Sequence, residues 1–316
     1  MPVDLITAPW NLGLRPPRPD RHEPGTWRAP HTLRAAGLDT RLRPARVVEL
    51  DRPPYAFDPQ PATRIRNGVT LREHTLRLAD AVHATLAEAG RFPVVLGGDC
   101  SILLGCLLGA RHGGRCGLVH VDGHSDFRHP GTYDAGAALG SAAGMDLALA
   151  TGRGELLLTH WPQVGRPLVA DEDVVQVGDR EDEEVPPVTR FTAREIQRIG
   201  IAELGERVAR RLAQRGLERV WLHVDLDVLD ERVLPAVDTP GRPGLDYDQL
   251  ARLVETLLGT GRVIGLDVSV YDPELDPDGT HAARIADCLA TALAPITATP
   301  STTTTAAAST AAGSTA

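Results

Sequence analysis

Two rhythms of apolar residues alternate along this chain. Short β-branched runs read as strands at Val3–Thr7, Ala45–Leu50, Pro93–Leu96, Gly117–Asp122, Val174–Val177, Thr189–Phe191, Arg219–Asp225 and Arg262–Val268. Between them the apolar positions recur at helical spacing. Leu71, Leu78, Val82 and Leu86 define the longest such face, in a helix from about Asn67 to Ala89. Further helices are predicted over Ala29–Ala36, Ser101–Arg111, about Ala142–Ala150, Ala202–Arg215, Tyr247–Leu258 and Gly279–Leu293. Strands alternating with helices predict an α/β protein on a mostly parallel, about eight-stranded sheet with helices on both faces. No internal linker interrupts the pattern, so residues 1–296 are expected to form one domain. Residues 297–316 contain only Thr, Ala, Ser, Pro and Gly; such a tail buries almost nothing and is expected to be disordered.

Composition narrows the function classes. Of 316 residues 42% are hydrophobic but only 4% aromatic, so the core is built from Val, Leu, Ala and Ile. A net charge of −9 and the lack of any basic stripe argue against a nucleic acid or an anionic membrane as partner and leave a small molecule. All 33 basic residues are Arg, which excludes a Schiff-base lysine, a P-loop and a Ser–Lys pair. Cys100, Cys106, Cys116 and Cys288 show no CxxC spacing, no charged leader precedes them, and no long uncharged run suits a membrane span. A cytoplasmic location with reduced thiols is the expectation.

The chemistry lies in three segments that each follow a predicted strand: Gly97-Gly98-Asp99-Cys100-Ser101, Asp122-Gly123-His124-Ser125-Asp126 and Asp225-Leu226-Asp227-Val228-Leu229-Asp230. Parallel strands present ligands beyond their carboxyl ends, so these segments meet if their strands are neighbours. Carboxylates, one imidazole and one thiol can hold two divalent ions, and a water shared by two such ions becomes hydroxide near neutral pH.

Together the three motifs resemble those of the arginase–agmatinase (ureohydrolase) family, GGDHS, DAHxD and SxDxDxxDP, and the resemblance runs over roughly residues 1 to 295. Ala8-Pro9-Trp10-Asn11, Thr189-Arg190-Phe191 and Pro235-Ala236-Val237-Asp238-Thr239-Pro240 contribute to it. The resemblance implies a three-layer α/β/α sandwich, two Mn²⁺ ions, trimers or hexamers, and hydrolysis of a non-peptide C–N bond of guanidino, N-hydroxyguanidino or formimino type by a metal-bridging hydroxide. Carried over by position, one ion takes Cys100, Asp122, Asp126 and Asp225, and the other takes His124, Asp122, Asp225 and Asp227. Asp122 and Asp225 bridge. Asp230 fixes its turn, and Asp99 accepts hydrogen bonds behind the ligands. Two other readings remain open: a single-metal amidohydrolase, and a catalytically silent paralogue that binds metal or a partner subunit.

Three positions depart from the family pattern. Cys100 stands where the family has histidine; it is either a ligand that favours Zn²⁺ or Co²⁺ over Mn²⁺ or a small buried residue. Ala143 replaces a proton-shuttling histidine, and Val270 replaces a glutamate that grips the guanidinium. Without that carboxylate a cationic substrate group is poorly held. Candidate catalytic groups are Asp126 and His223. The latter shares a strand face with Asp225, although a histidine there can also simply pack between sheet and helices. His129, Glu181 and Glu183 are candidate substrate contacts.

Overall fold

The computed structural model describes residues 1–17, 22–128, 139–181 and 187–297. The expected tail lies outside these residues apart from its first position, as do His129 and Glu183. Eight strands form: β1 Val3–Ala8, β2 Arg46–Glu49, β3 Phe92–Gly97, β4 Gly117–Val121, β5 Val174–Val177, β6 Thr189–Phe191, β7 Val220–Asp225 and β8 Val263–Ser269. They make one sheet in the order β2-β1-β3-β8-β7-β4-β5-β6, and every pairing is parallel. The expected sheet is thus present and wholly rather than mostly parallel.

Strand alternation sends side chains into two separate cores. Leu5, Val94, Val119, Leu222 and Val224 face one side, against the helices Ala29–Ala35, Ile201–Gln214, Tyr247–Gly259 and Thr280–Ala292. Ile6, Val95, Leu118 and Trp221 face the other, against Gly68–Ala87, Leu103–Arg111 and Asp146–Ala150. The result is the expected α/β/α sandwich. Among the described residues the structure adds short helices at Leu38–Leu42, Leu156–Thr159 and Ala193–Ile199 that the pattern did not predict. Two of them are too brief to show a period. Ala193–Ile199 is stopped by Gly200, at φ 79°, before Ile201–Gln214 begins.

Candidate functional site

Strands β3, β8, β7 and β4 lie side by side in the middle of the sheet. The three motifs therefore emerge together at their carboxyl ends. Each turns on the same local device, an Asp whose carboxylate accepts the backbone N–H two residues on. Asp99 accepts from Ser101 at 2.9 Å, Asp122 from His124 at 2.7 Å, and Asp225 from Asp227 at 2.7 Å. One oxygen of Asp122 and Asp225 is thereby fixed while the other faces the site. Asp99 also accepts from Gly13 N at 2.8 Å, tying the loop after β1 to the turn that carries Cys100. Asp230 accepts from Arg232 N at 3.1 Å and pairs with its guanidinium, fixing its own turn. The Gly97-Gly98 pair has a steric reason: a Cβ on Gly98 would lie 1.7 Å from the Trp10 carbonyl oxygen.

All six expected ligands converge. Cys100, Asp122 and Asp225, with His223, offer donor atoms within 4.8 Å of one another. Asp122, His124 and Asp227 form an overlapping group, and Asp126 joins Cys100 and Asp146 in a third. Cys100 Sγ lies 2.6 Å from Asp225 Oδ2, and His124 Nδ1 lies 2.8 Å from Asp227 Oδ2. Arg180 donates to the Asp227 carbonyl at 2.7 Å and holds that turn from outside.

The electrostatics are those of a site short of positive charge. Burial, and then the neighbouring carboxylates, push Asp126 and Asp225 well above the usual carboxylate range. The Cys100 thiol is pushed up by burial and by Asp225 and Asp126. The start of a helix favours thiolate, but here burial among acids outweighs it, and a cation is what would ionise this sulfur. Burial would lower His124, yet its contacts with Asp122 and Asp227 raise it to about 11. Asp122 has a buried Oδ2 with no hydrogen bond. Clustered carboxylates, an imidazole and a thiol fit divalent cations, which offset the mutual repulsion.

A cleft of about 260 Å³ opens over the cluster. Cys100, His124, Asp126, Asp225 and Asp227 line it, as does Glu181. Leu14, Ala143 and Val270 pack with Cys100 as a small buried apolar group on its wall. Two non-glycine residues here have positive φ, Asp126 at 44° and Val270 at 65°. That is costly for a β-branched residue and typical of sites whose geometry is imposed by their surroundings.

His223 is brought to the cluster but does not line the cleft; it is wholly buried beneath it. Its Nδ1 lies 2.6 Å from Asp267 Oδ2. His120, on β4, pairs with His223 in register and stacks on its ring at 4.8 Å, while its Nε2 lies 3.1 Å from Asp146. The sequence reading missed His120, although the alternation that flagged His223 places His120 two residues before Asp122 in the same way. Asp146 carries no such signal, because it arrives from a separate helix.

A parallel sheet with an acidic cleft at its central strand ends and a compact set of potential metal donors is the arrangement the ureohydrolase class leads one to expect. The chain belongs to the arginase family, whose model matches residues 3–300. It is 31% identical over 308 residues to the arginase of Bacillus caldovelox, covering 92% of this chain and 97% of that one. It is 29% identical over 299 residues to arginase-1 of Bos taurus, with 89% and 88% covered. The crystal structure of the Bacillus caldovelox arginase superposes with a TM-score of 0.79 at 30% identity, over 92% of this chain and 97% of that one. Membership makes the protein a hydrolase of non-peptide C–N bonds with a divalent-metal site.

Proposed function

We propose that the site holds two divalent ions and hydrolyses a C–N bond in a substrate whose scissile group carries no positive charge. The observation that carries this reading is the apolar wall of Leu14, Ala143 and Val270 beside Cys100. Val270 is pinned by its own N–H, which donates to the Gly98 carbonyl at 2.7 Å. A guanidinium placed there would lose its water, find no carboxylate on that wall, and face the charge of the ions. An amide avoids that cost, and an N-hydroxyguanidine of lowered basicity suffers less than a guanidinium.

In this reading Asp122 and Asp225 would be shared by the two ions, with Cys100 and Asp126 completing one set of holding residues and His124 and Asp227 the other. When bound, such ions acidify water and polarise the scissile group. Asp126 reaches the cleft, and its carboxyl is the group suited to hold the proton that the leaving nitrogen takes up. Arg15, Arg128 and Glu181 line the outer cleft and offer both signs of charge to the rest of the substrate.

The test is steady-state kinetics on metal-loaded protein with arginine, agmatine, N-hydroxyguanidines, formimino compounds and simple amides. Negligible turnover of arginine and agmatine beside measurable turnover of a neutral class is expected; robust turnover of either cation would overturn the reading. Val270→Glu restores a carboxylate, and a charge-assisted contact contributes ~1.5–3 kcal/mol. Affinity for guanidinium compounds should rise by about 10–150-fold.

A further inference from the structure

Beneath the cleft lies a buried polar row that the ligand set above does not use. Gln176, His120, His223 and Asp267 occupy one register level across β5, β4, β7 and β8. His223 and Asp267 are fully buried. The Nδ1 of His223 faces Asp267 Oδ2 at 2.6 Å, and the other oxygen of Asp267 accepts from Trp221 Nε1 at 2.5 Å. With Nδ1 committed to that carboxylate, the lone pair of the neutral ring is on Nε2. That atom is buried and makes no hydrogen bond. It belongs to the group of donors, with Cys100, Asp122 and Asp225, that lie within 4.8 Å of one another.

We propose that His223 Nε2 is a further ligand of the divalent ion assigned to Cys100, Asp122, Asp126 and Asp225, held in its tautomer by Asp267. An imidazole whose far nitrogen donates to a carboxylate is the usual arrangement of a metal-bound histidine. Neighbouring donors around one ion stand roughly 3.3–3.8 Å apart, so the wider gaps of this group would close slightly and the Cys100–Asp225 contact, at 2.6 Å, would open. Asp122 Oδ2, also buried without a hydrogen bond, gains a partner by the same step. A thiolate with an imidazole prefers Zn²⁺ or Co²⁺ to Mn²⁺. His120 serves differently: its Nε2 is turned to Asp146, and its ring supports that of His223.

The inference rests on Cys100, Asp122 and Asp225 forming a divalent-metal site, and binding rather than activity tests it. Chelator competition with Co²⁺ should show His223→Ala lowering affinity at the site that gives the sulfur-to-metal band. Asp267→Asn should lower that affinity about 10–100-fold. Because His223→Ala leaves a buried carboxylate unmatched, X-ray absorption of Zn²⁺-loaded His124→Ala provides a second measurement in protein that keeps the buried row intact. One sulfur and one imidazole in the same shell support the proposal. A shell with sulfur but no imidazole overturns it, as does an imidazole signal that persists in His124→Ala/His223→Ala. Wild type that takes up no divalent ion would overturn both this inference and the metal-site reading beneath it.

Discussion

Cys100, at the position where the family resemblance leads one to expect an imidazole, places a sulfur 2.6 Å from Asp225 Oδ2. Its ordinary thiol chemistry is suppressed by burial and by acids on several sides. With Co²⁺ bound, a charge-transfer band in the near ultraviolet is expected, and Cys100→Ser should abolish it; an unchanged spectrum would make the thiol a bystander. Cys100→His should move the preference back toward Mn²⁺. The same crowding couples metal to protons. Asp126, Asp225 and Cys100 have raised pKa values in the metal-free protein, so protons held there must leave as the ion enters. Apparent affinity should therefore climb as pH rises. A flat profile from competition titrations would contradict that assignment of protons.

At the scale of elements, every strand was legible because its apolar run is short, β-branched and bounded, and the errors at strand ends are a residue or two. The candidate ligands were legible for a related reason: each motif contains an Asp that ends or follows a strand and caps its own turn. Asp146 and Asp267 were not, since their roles arise from packing between elements distant in sequence. The glycine pair before Asp99 was visible as a motif, but its cause, the approach of Ile102 to Gly97 and of Trp10 to Gly98, appears only in three dimensions. Asp173, just before β5, shows how acids outside the site behave. Burial would raise its carboxyl, but hydrogen bonds from Arg115 and Arg215 hold it below the ordinary 3.8. Its stabilisation is complete above that value and is lost as pH falls through the depressed one. Asp173→Asn should cost about 1.5–3 kcal/mol at neutral pH, with the gap closing in strong acid. Denaturant titrations at both conditions measure it; an equal gap in acid would mean the loss is one of packing.

For the whole molecule, the sheet order is what converts three separate sequence motifs into one site. Strands β8 and β7 insert between β3 and β4, so residues over 120 positions apart share a cleft. No helix among the described residues is long and apolar enough to cross a membrane. The family resemblance predicted that the three motifs share one site and the alternation of strands and helices predicted the sheet; the strand order came from neither. In the proposed reading, what would distinguish this member is the wall of Leu14, Ala143 and Val270, an apolar contact in place of charge recognition. All of that presupposes the metal centre. The most direct test is elemental analysis after reconstitution with excess Mn²⁺, Zn²⁺ or Co²⁺ and gel filtration. Close to two ions per chain are expected in the wild type, and both should be lost in Asp122→Ala and in Asp225→Ala, since each carboxylate serves both ions. A full complement in either variant, or a single ion in the fully loaded wild type, would contradict the dinuclear account.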